Sequence, residues 1–377
     1  MRIAVFYHLP FGGAKRVVQE HVRGLVLRGH EVDLYTTVKE YDAFDPGIFA
    51  SHEYIFPFTI LSVRLPLIGR LLKDYTVFNL LKKHHKKIAE EIDKKGYDIV
   101  LVHSDIYTQS PFILQFLHTR NVYFCLEPLR IAYEYCLRFP DNTAIANRIY
   151  ESISRHIRKN IDRSNAQSAD YTLAISLFGR EYMIHAFNLY PVISYLGVDE
   201  KRFHPLKLKK KKQILFVAEK EYIYGYDLIE KAMRLIPEQK RPLLKFVFGT
   251  KKEQRINDKD LVHLYNESLV TLSLSRYDTF GLVPLESMAC GVPVIALNVA
   301  GYRETIVDNK TGFLVDFDPE AIAEKIMLFL DNPSLSKQMG DEGRKWIEAK
   351  WTWNEQIRNL ENHLISLTKL KKFSDTD

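Results

Sequence analysis

The 377-residue chain is predicted to be an α/β protein built as two successive doubly wound domains. Three observations predict this. Short apolar runs alternate with amphipathic segments of helix length, glycine-bearing turns follow apolar runs in both halves, and 46% apolar content is enough for two cores of ordinary size.

Residues 2–7 (RIAVFY) predict a strand, 14–28 a helix with Val17, Val18, His21, Val22, Leu25 and Val26 on one face, and 31–36 the next strand. Phe11-Gly12-Gly13-Ala14 joins the first two elements, with Lys15 and Arg16 in the helix's first turn. Glycines at such a turn let backbone N–H groups approach an anion closely. The spacing is not G-x-G-x-x-G, which argues against a nicotinamide dehydrogenase. Residues 53–81 mix aromatic and aliphatic side chains with Arg64, Arg70 and Lys73 and run into a Lys/His cluster at 82–87. Such a segment serves either as core packing with a charged outer face or as a helix lying in a membrane interface. Strands are predicted at 99–102, 122–126 and 171–175, which complete the first domain over residues 1–193.

Ser194 to Asp199, followed by Phe203-His204-Pro205, begins a second domain over 194–353, with Lys207 to Lys212 read as a solvated linker. A strand at 214–218, a helix at 228–235 and a strand at 244–248 make this domain α/β as well. Asp316-Phe317-Asp318 matches a metal-binding D-x-D pattern, but Asp318 before Pro319 is read as a helix N-cap and no metal is expected. After Trp351-Thr352-Trp353, residues 354–377 carry Ile357, Leu360, Leu364 and Leu367 at helical spacing and end in a basic tail.

The densest chemistry lies in Ser275 to Glu304. Phe280-Gly281-Leu282 predicts a tight turn, Pro284 the first turn of a helix that runs to Ala289 and is closed by Gly291, and Pro293 to Leu297 a strand covered on both faces. A helix N-terminus there favours a phosphate through its unpaired N–H groups and its dipole. Glu286, placed in the first turn, accepts from sugar hydroxyls.

Asp278, seven intervening residues, Glu286, the PVIA strand and Ala300-Gly301-Tyr302-Arg303-Glu304 resemble the donor-binding signature of family 4 glycosyltransferases. The N-terminal Gly-Gly turn, the G-V-D-x-x-x-F-x-P segment and the C-terminal Trp helix extend the resemblance over most of the chain. It implies the GT-B fold: two Rossmann-like domains facing an interdomain cleft, with the C-terminal helix crossing back to the N-terminal domain. It also implies a retaining, nucleotide-sugar-dependent hexosyltransferase whose UDP- or GDP-linked donor is a substrate, with no cofactor. In such enzymes an oxocarbenium-like centre forms while a nucleoside diphosphate leaves with extra negative charge, so stabilising the phosphates is the main task. The resemblance assigns Gly12, Gly13, Lys220, Phe280, Gly281, Leu282 and Glu286 to the donor, and Asp278, Glu127 and His103 to the reaction centre. Arg64, Arg70, Lys73 and Arg130 are assigned to the acceptor or to a membrane.

Four positions depart from the family pattern, the first being Asp278, which stands where relatives carry a Glu one methylene longer. Glu219 and Tyr224 stand where relatives commonly carry an Arg and a Lys, with Lys220, Lys251 or Lys252 as substitutes, and Leu126 stands where relatives carry a His before Glu127-Pro128. They motivate a second reading, a non-catalytic or weakly active homologue acting as a partner subunit. A nucleotide-sugar epimerase is a third.

The formal charge of +6 is concentrated in clusters, which fits an anionic membrane surface better than nucleic acid, since no nucleic-acid-binding motif accompanies it. Cys125, Cys136 and Cys290 have no disulfide or zinc spacing. With no signal-peptide core and no span-length apolar run, the expected location is cytoplasmic, peripheral on the inner membrane face. The expected partners are a nucleotide-sugar and a lipid-linked or polysaccharide acceptor.

Overall fold

The computed structural model describes residues 1–38, 42–59, 67–134, 137, 143–247 and 256–370. The chain forms two compact units. Unit 1 holds Met1–Ile175, Arg180–Ser194 and the chain from Ile357 onward; unit 2 holds Ser176–Gly179 and Tyr195–Gln356.

Unit 1 is built from β1 (Arg2–His8), α1 (Gly13–Leu27), β2 (Glu31–Thr36), β3 (His52–Ile55), α2 (Leu67–Asp93), β4 (Ile99–Asp105), β5 (Asn121–Cys125), α3 (Arg130–Tyr133), α4 (Ile145–Gln167), β6 (Tyr171–Ala174), most of α5 (Leu177–Phe187) and β7 (Val192–Ile193). Its strands pair in the order β3-β2-β1-β4-β5-β6-β7, every pair parallel. Apolar runs that are buried on both faces, such as Ile3–Phe6 and Ile99–Val102, make this possible. The α1 strip called from periodicity is buried at Val17, Val18, His21, Val22 and Leu25.

Unit 2 contains β8 (Gln213–Val217), α6 (Tyr226–Leu235), β9 (Leu243–Val247), α7 (Asp258–Glu267), β10 (Val270–Ser273), α8 (Leu282–Ala289), β11 (Val294–Leu297), α9 (Tyr302–Thr305), β12 (Gly312–Val315), α10 (Pro319–Asp331) and α11 (Pro333–Lys350). Its sheet is also all parallel, in the order β12-β11-β10-β8-β9. The final helix, α12 (Trp353–Lys369), starts in unit 2 and from Ile357 belongs to unit 1. There it crosses α1 so closely that a Cβ on Gly24 would lie 2.5 Å from Ile357. Glu361 pairs with Arg28 and with His30 (2.8 Å), and Arg120 donates to the Leu367 carbonyl at 2.6 Å.

Two sequence readings can be compared with the structure. The Lys207–Lys212 run is exposed and lies outside any helix or strand, as a solvated linker would, and it is tethered at three points: Lys211 pairs with Glu267 at 2.7 Å, and the ammonium groups of Lys210 and Lys212 donate to the carbonyls of Ser268 and Gln239. Asp318 is an N-cap, its carboxylate accepting from Glu320 N–H at 3.0 Å, as its place before Pro319 suggests.

In unit 1, α4 carries a fully buried carboxylate. Asp162 accepts from Ser110 N–H (3.0 Å), Ser110 Oγ (2.5 Å) and Leu129 N–H (3.0 Å), and burial nevertheless pushes its pKa up to about 6. A folded-state pKa above the unfolded value of 3.8 means that the folded chain holds its proton longer. This group's contribution therefore falls as pH rises from about 4 to about 6. We expect Asp162→Asn to remove that slope. Urea unfolding across this window should show wild type losing on the order of 2 kcal/mol relative to the variant, and parallel curves would refute the assignment.

Candidate functional site

In an open parallel sheet the strand order reverses at one point, and the loops leaving the two strands there open a crevice at their carboxyl ends. In unit 2 that point lies between β8 and β10. The loop after β10 runs from Leu274 to Gly281 and delivers α8. Asp278 holds this loop together: its carboxylate accepts from Phe280 N–H (3.2 Å) and from the Tyr302 hydroxyl (3.1 Å), and its carbonyl accepts from Gly301 N–H (3.0 Å). Gly301 lies flat on Phe280, where a Cβ would meet the Phe280 backbone at 2.5 Å. Phe280 is buried beside the rings of Trp351 and Tyr195, at 5.6 and 6.3 Å.

Gly281 turns the chain into α8 with φ +95°, ψ 67°, a left-handed conformation that side chains rarely adopt. The helix therefore starts at Leu282, two residues before the expected Pro284. Pro284 is its third residue, where a missing N–H still removes no intrahelical bond. Glu286 is accordingly one turn in, 7% exposed, and its Oε2 accepts from the buried Tyr265 hydroxyl of α7 at 3.0 Å. Phe280, Gly281, Leu282, Asp278 and Glu286 are thus brought together around one helix start. Glu304, from the same motif, turns elsewhere: its carboxylate accepts from Leu177 N–H, Phe178 N–H and the Tyr195 hydroxyl.

Lys220 is drawn toward the other side of β8. Its ammonium lies over Phe246 of β9 at 4.3 Å and near Tyr226 at 5.7 Å, a cation–π arrangement on the strand opposite β10. Lys251 and Lys252 fall outside the described residues. A guanidinium that sequence reasoning missed does stand beside the crevice. Arg276 makes a two-pronged pair with Asp227 of α6 (2.8 and 2.9 Å) and stacks on Tyr222 at 3.7 Å. An acid in the first turn after Gly225 was the only signal for it.

In unit 1 the reversal lies between β1 and β4. Gly12 leaves β1 with φ +155°, ψ −177°, a region open essentially to glycine, and caps α1, with Gly13 as the first helical residue. Lys15 is buried and bound to Asp42 at 2.8 Å, and Arg16 stacks over Phe44 at 4.3 Å, so both cations of this turn are engaged within the unit. At the same sheet edge His8 Nδ1 lies 2.7 Å from Asp105 Oδ2, while Asp105 Oδ1 accepts from Tyr107 N–H and Thr108 N–H. Burial alone would raise Asp105, but the bond and charge from His8 and the turn N–H groups hold it below the ordinary value. His85 approaches the same oxygen at 3.7 Å, and both its ring nitrogens are buried without a hydrogen bond. Ligating atoms of His8, His85 and Asp105 lie within 4.8 Å of one another, as do those of Glu31, Asp33 and His52; among the described residues these are the sets able to approach a metal ion.

His103 does not reach the sheet edge. It is fully buried with its Nε2 3.4 Å from His21 Nδ1 and its ring against Phe124, and burial pulls its pKa down to about 3. Glu127 and Arg130 form a largely buried ion pair at 2.7 Å after β5. Arg70 and Lys73 lie on α2, Arg70 donating to Asn147 at 3.3 Å, and Arg64 lies outside the described residues.

A family model described as "Glycosyltransferase Family 4" matches residues 11–202, and one described as "Glycosyl transferases group 1" matches 250–346. The chain belongs to glycosyltransferase family 4. This family 4 chain is 34% identical over 111 residues to the alpha-1,3/1,6-mannosyltransferase ALG2 of Rhizomucor pusillus, a stretch covering 29% of the chain and 24% of that protein. It is 39% identical over 85 residues to a GDP-mannose-dependent alpha-(1-6)-phosphatidylinositol monomannoside mannosyltransferase of Mycobacterium tuberculosis, covering 22% of each. The chain spans about a quarter of the length of the curated relatives it matches. Its fold is that of a sucrose-phosphate synthase from Thermosynechococcus elongatus (TM-score 0.71, 19% identity, 97% of this chain and 98% of that one). It is similar also to the glycosyltransferase WaaG (TM-score 0.65, 16% identity, 98% and 100%). Both are GT-B glycosyltransferases, so the expected fold class is met by two all-parallel α/β units.

The left-handed turn is testable without a substrate. In Gly281→Ala the new Cβ would sit 2.9 Å from the Tyr302 ring at a disfavoured φ. We expect roughly 1–3 kcal/mol lost in urea unfolding, whereas a variant as stable as wild type would remove the constraint from this loop.

Proposed function

We propose that the protein is a retaining hexosyltransferase that moves a sugar from a nucleoside-diphosphate donor to a lipid-linked or polysaccharide acceptor. The observation that carries this reading is the joint placement of Asp278 and Glu286 about the start of α8. In it, Glu286 binds the ribose hydroxyls, Asp278 the hexose, and the first N–H groups of α8 the phosphates, where unpaired donors and the helix dipole favour negative charge. GDP-mannose, named for the Mycobacterium tuberculosis relative, is the first donor to try. Gly12 and Gly13 offer a second set of backbone donors, and the Glu127–Arg130 pair shapes the acceptor side. His8, oriented by Asp105, is the hydrogen-bonding group of unit 1 that stands in for the His replaced by Leu126.

The acidic-pair reading predicts that the matching nucleotide-sugar, at about 100 times its Kd, adds roughly 2.7 kcal/mol to stability in a thermal-shift screen. Glu286→Gln, which keeps the volume beside Tyr265, should lose that shift and transfer while melting near wild type without donor. An undiminished shift in the variant would sink the assignment.

A second reading, a partner subunit that binds without turnover, is favoured by Glu219 and Tyr224, because a carboxylate near a diphosphate repels it. The double change Glu219→Arg, Tyr224→Lys separates the two. Under the enzyme reading it weakens existing donor binding, since the site is arranged around the native pair. If the change instead creates strong binding where wild type has none, the native protein is the non-catalytic partner.

A further inference from the structure

Helix α4 is amphipathic in the inverse sense. Its buried side carries Ser154, Arg155, Asp162 and Asn165, while Ile145, Ile149, Ile153 and Ile157, each four residues from the last, are 74, 51, 40 and 39% exposed. Spacing of i, i+4 places them on one continuous face. The orientation is enforced by the buried side. Arg155 donates to the carbonyls of Ile131, Glu134 and Leu137, Asp162 takes three donors, and Asn165 donates to the Ser110 carbonyl at 2.7 Å and accepts from Gln115 at 2.5 Å. Rolling the isoleucines inward would strand every one of these groups.

The apolar face does not stop at α4. On α2, joined to α4 through Arg70–Asn147 and a Tyr150–Asp74 hydrogen bond at 2.9 Å, Leu72 and Tyr75 are 60 and 69% exposed. A groove of about 280 Å³ between the helices, lined by Tyr75, Phe78, Phe112, Ile157 and Ile161, makes the surface continuous. Its charge is one-sided: α2 and α4 together hold eleven Lys and Arg against six Asp and Glu, an excess of five beside the +6 of the whole chain. Among the described residues no helix is long and apolar enough to cross a membrane.

We propose that the outer face of α4, with Leu72 and Tyr75 of α2, is the surface by which this protein lies on an anionic lipid bilayer. Isoleucines enter the acyl boundary while the surrounding cations, Arg70, Arg148 and Lys159 among them, meet the headgroups. Lysine and arginine stems reach around an apolar strip in this way without burying their charge. The inference deepens the transferase reading, on which it rests only for its consequence that the acceptor is presented at that bilayer.

The experiment is flotation of the full chain with phosphatidylcholine vesicles, with and without phosphatidylglycerol. Wild type should float with the anionic vesicles and lose binding as salt is raised. Ile149→Asp/Ile153→Asp should cut the bound fraction roughly tenfold or more at an unchanged melting temperature, since both positions are exposed. Arg148→Glu/Lys159→Glu should weaken binding to anionic vesicles only. Failure of wild type to float, or isoleucine variants that float like wild type, would overturn the proposal. So would a shift from dimer to monomer on the isoleucine substitutions, which would assign the face to a second copy. The thermal shift with nucleotide-sugar, measured on the same variants, keeps the two readings apart: flotation without any donor shift supports the surface and refutes the donor site, and the reverse refutes only the surface.

Discussion

Parallel pairing is the constraint on which the rest of this structure depends. Every strand pair in the two described sheets is parallel, so every connection between neighbouring strands must cross back over a face, and all loops leaving strand ends gather on one edge. Where the order reverses, two such loops diverge and leave room. In unit 1 this brings His8, Gly12, Asp105 and Glu127 to one edge from positions up to 119 residues apart in sequence; in unit 2 it sets the Asp278 loop beside the turn after β8. Neither arrangement needs special side-chain chemistry to form. The chemistry is added to a geometry that the sheet provides.

Rigidity at the unit 2 edge comes from contacts too close to admit a side chain. Gly301 against Phe280 and Gly281 against Tyr302 clamp the 278–282 loop to the segment that follows β11, and Asp278 bonds both sides of the clamp. A carboxylate so employed is oriented rather than free, and a donor sugar meeting it would find its acceptor lone pairs already aimed. Preorganisation of this kind lowers the ordering cost of binding. Glu286, fixed by Tyr265, repeats the device eight residues later.

Much of this was legible in the sequence, because apolar runs and turn glycines report backbone periodicity directly. The strands at 2–8, 31–36 and 294–297 needed no more than that. What escaped depends on pairing across long sequence separations or on choices between equivalent surfaces. His8 and Asp105 lie 97 residues apart, and Arg276 finds Asp227 at a separation of 49, distances over which periodicity carries no information. At α4 the isoleucines recur at helical spacing on the exposed side while the polar side is the buried one, a choice between faces that spacing alone does not make. Lys220, which the resemblance assigned to the donor, has its charge over the aromatic faces of Phe246 and Tyr226.

In the proposed donor site, Glu219 and Tyr224 would bear on how a donor is held. A carboxylate about 5 Å from a phosphate at an effective dielectric constant near 20 opposes it by about 3 kcal/mol, more than one helix terminus returns at about half a unit charge. Arg276 offsets little of this, because its guanidinium is already neutralised by Asp227 in a two-pronged pair with only 12% of the side chain exposed. In the proposed donor site, affinity would then come from hydroxyl contacts at Glu286 and Asp278 and from backbone N–H groups. Hydrogen bonds to a carboxylate depend on donor geometry, whereas attraction to a diphosphate does not distinguish one sugar from another. Under the proposed reading, exchanging phosphate attraction for hydroxyl recognition would trade affinity for selectivity, and the Asp278 and Tyr265 contacts that hold the loop and helix in place would carry that selectivity.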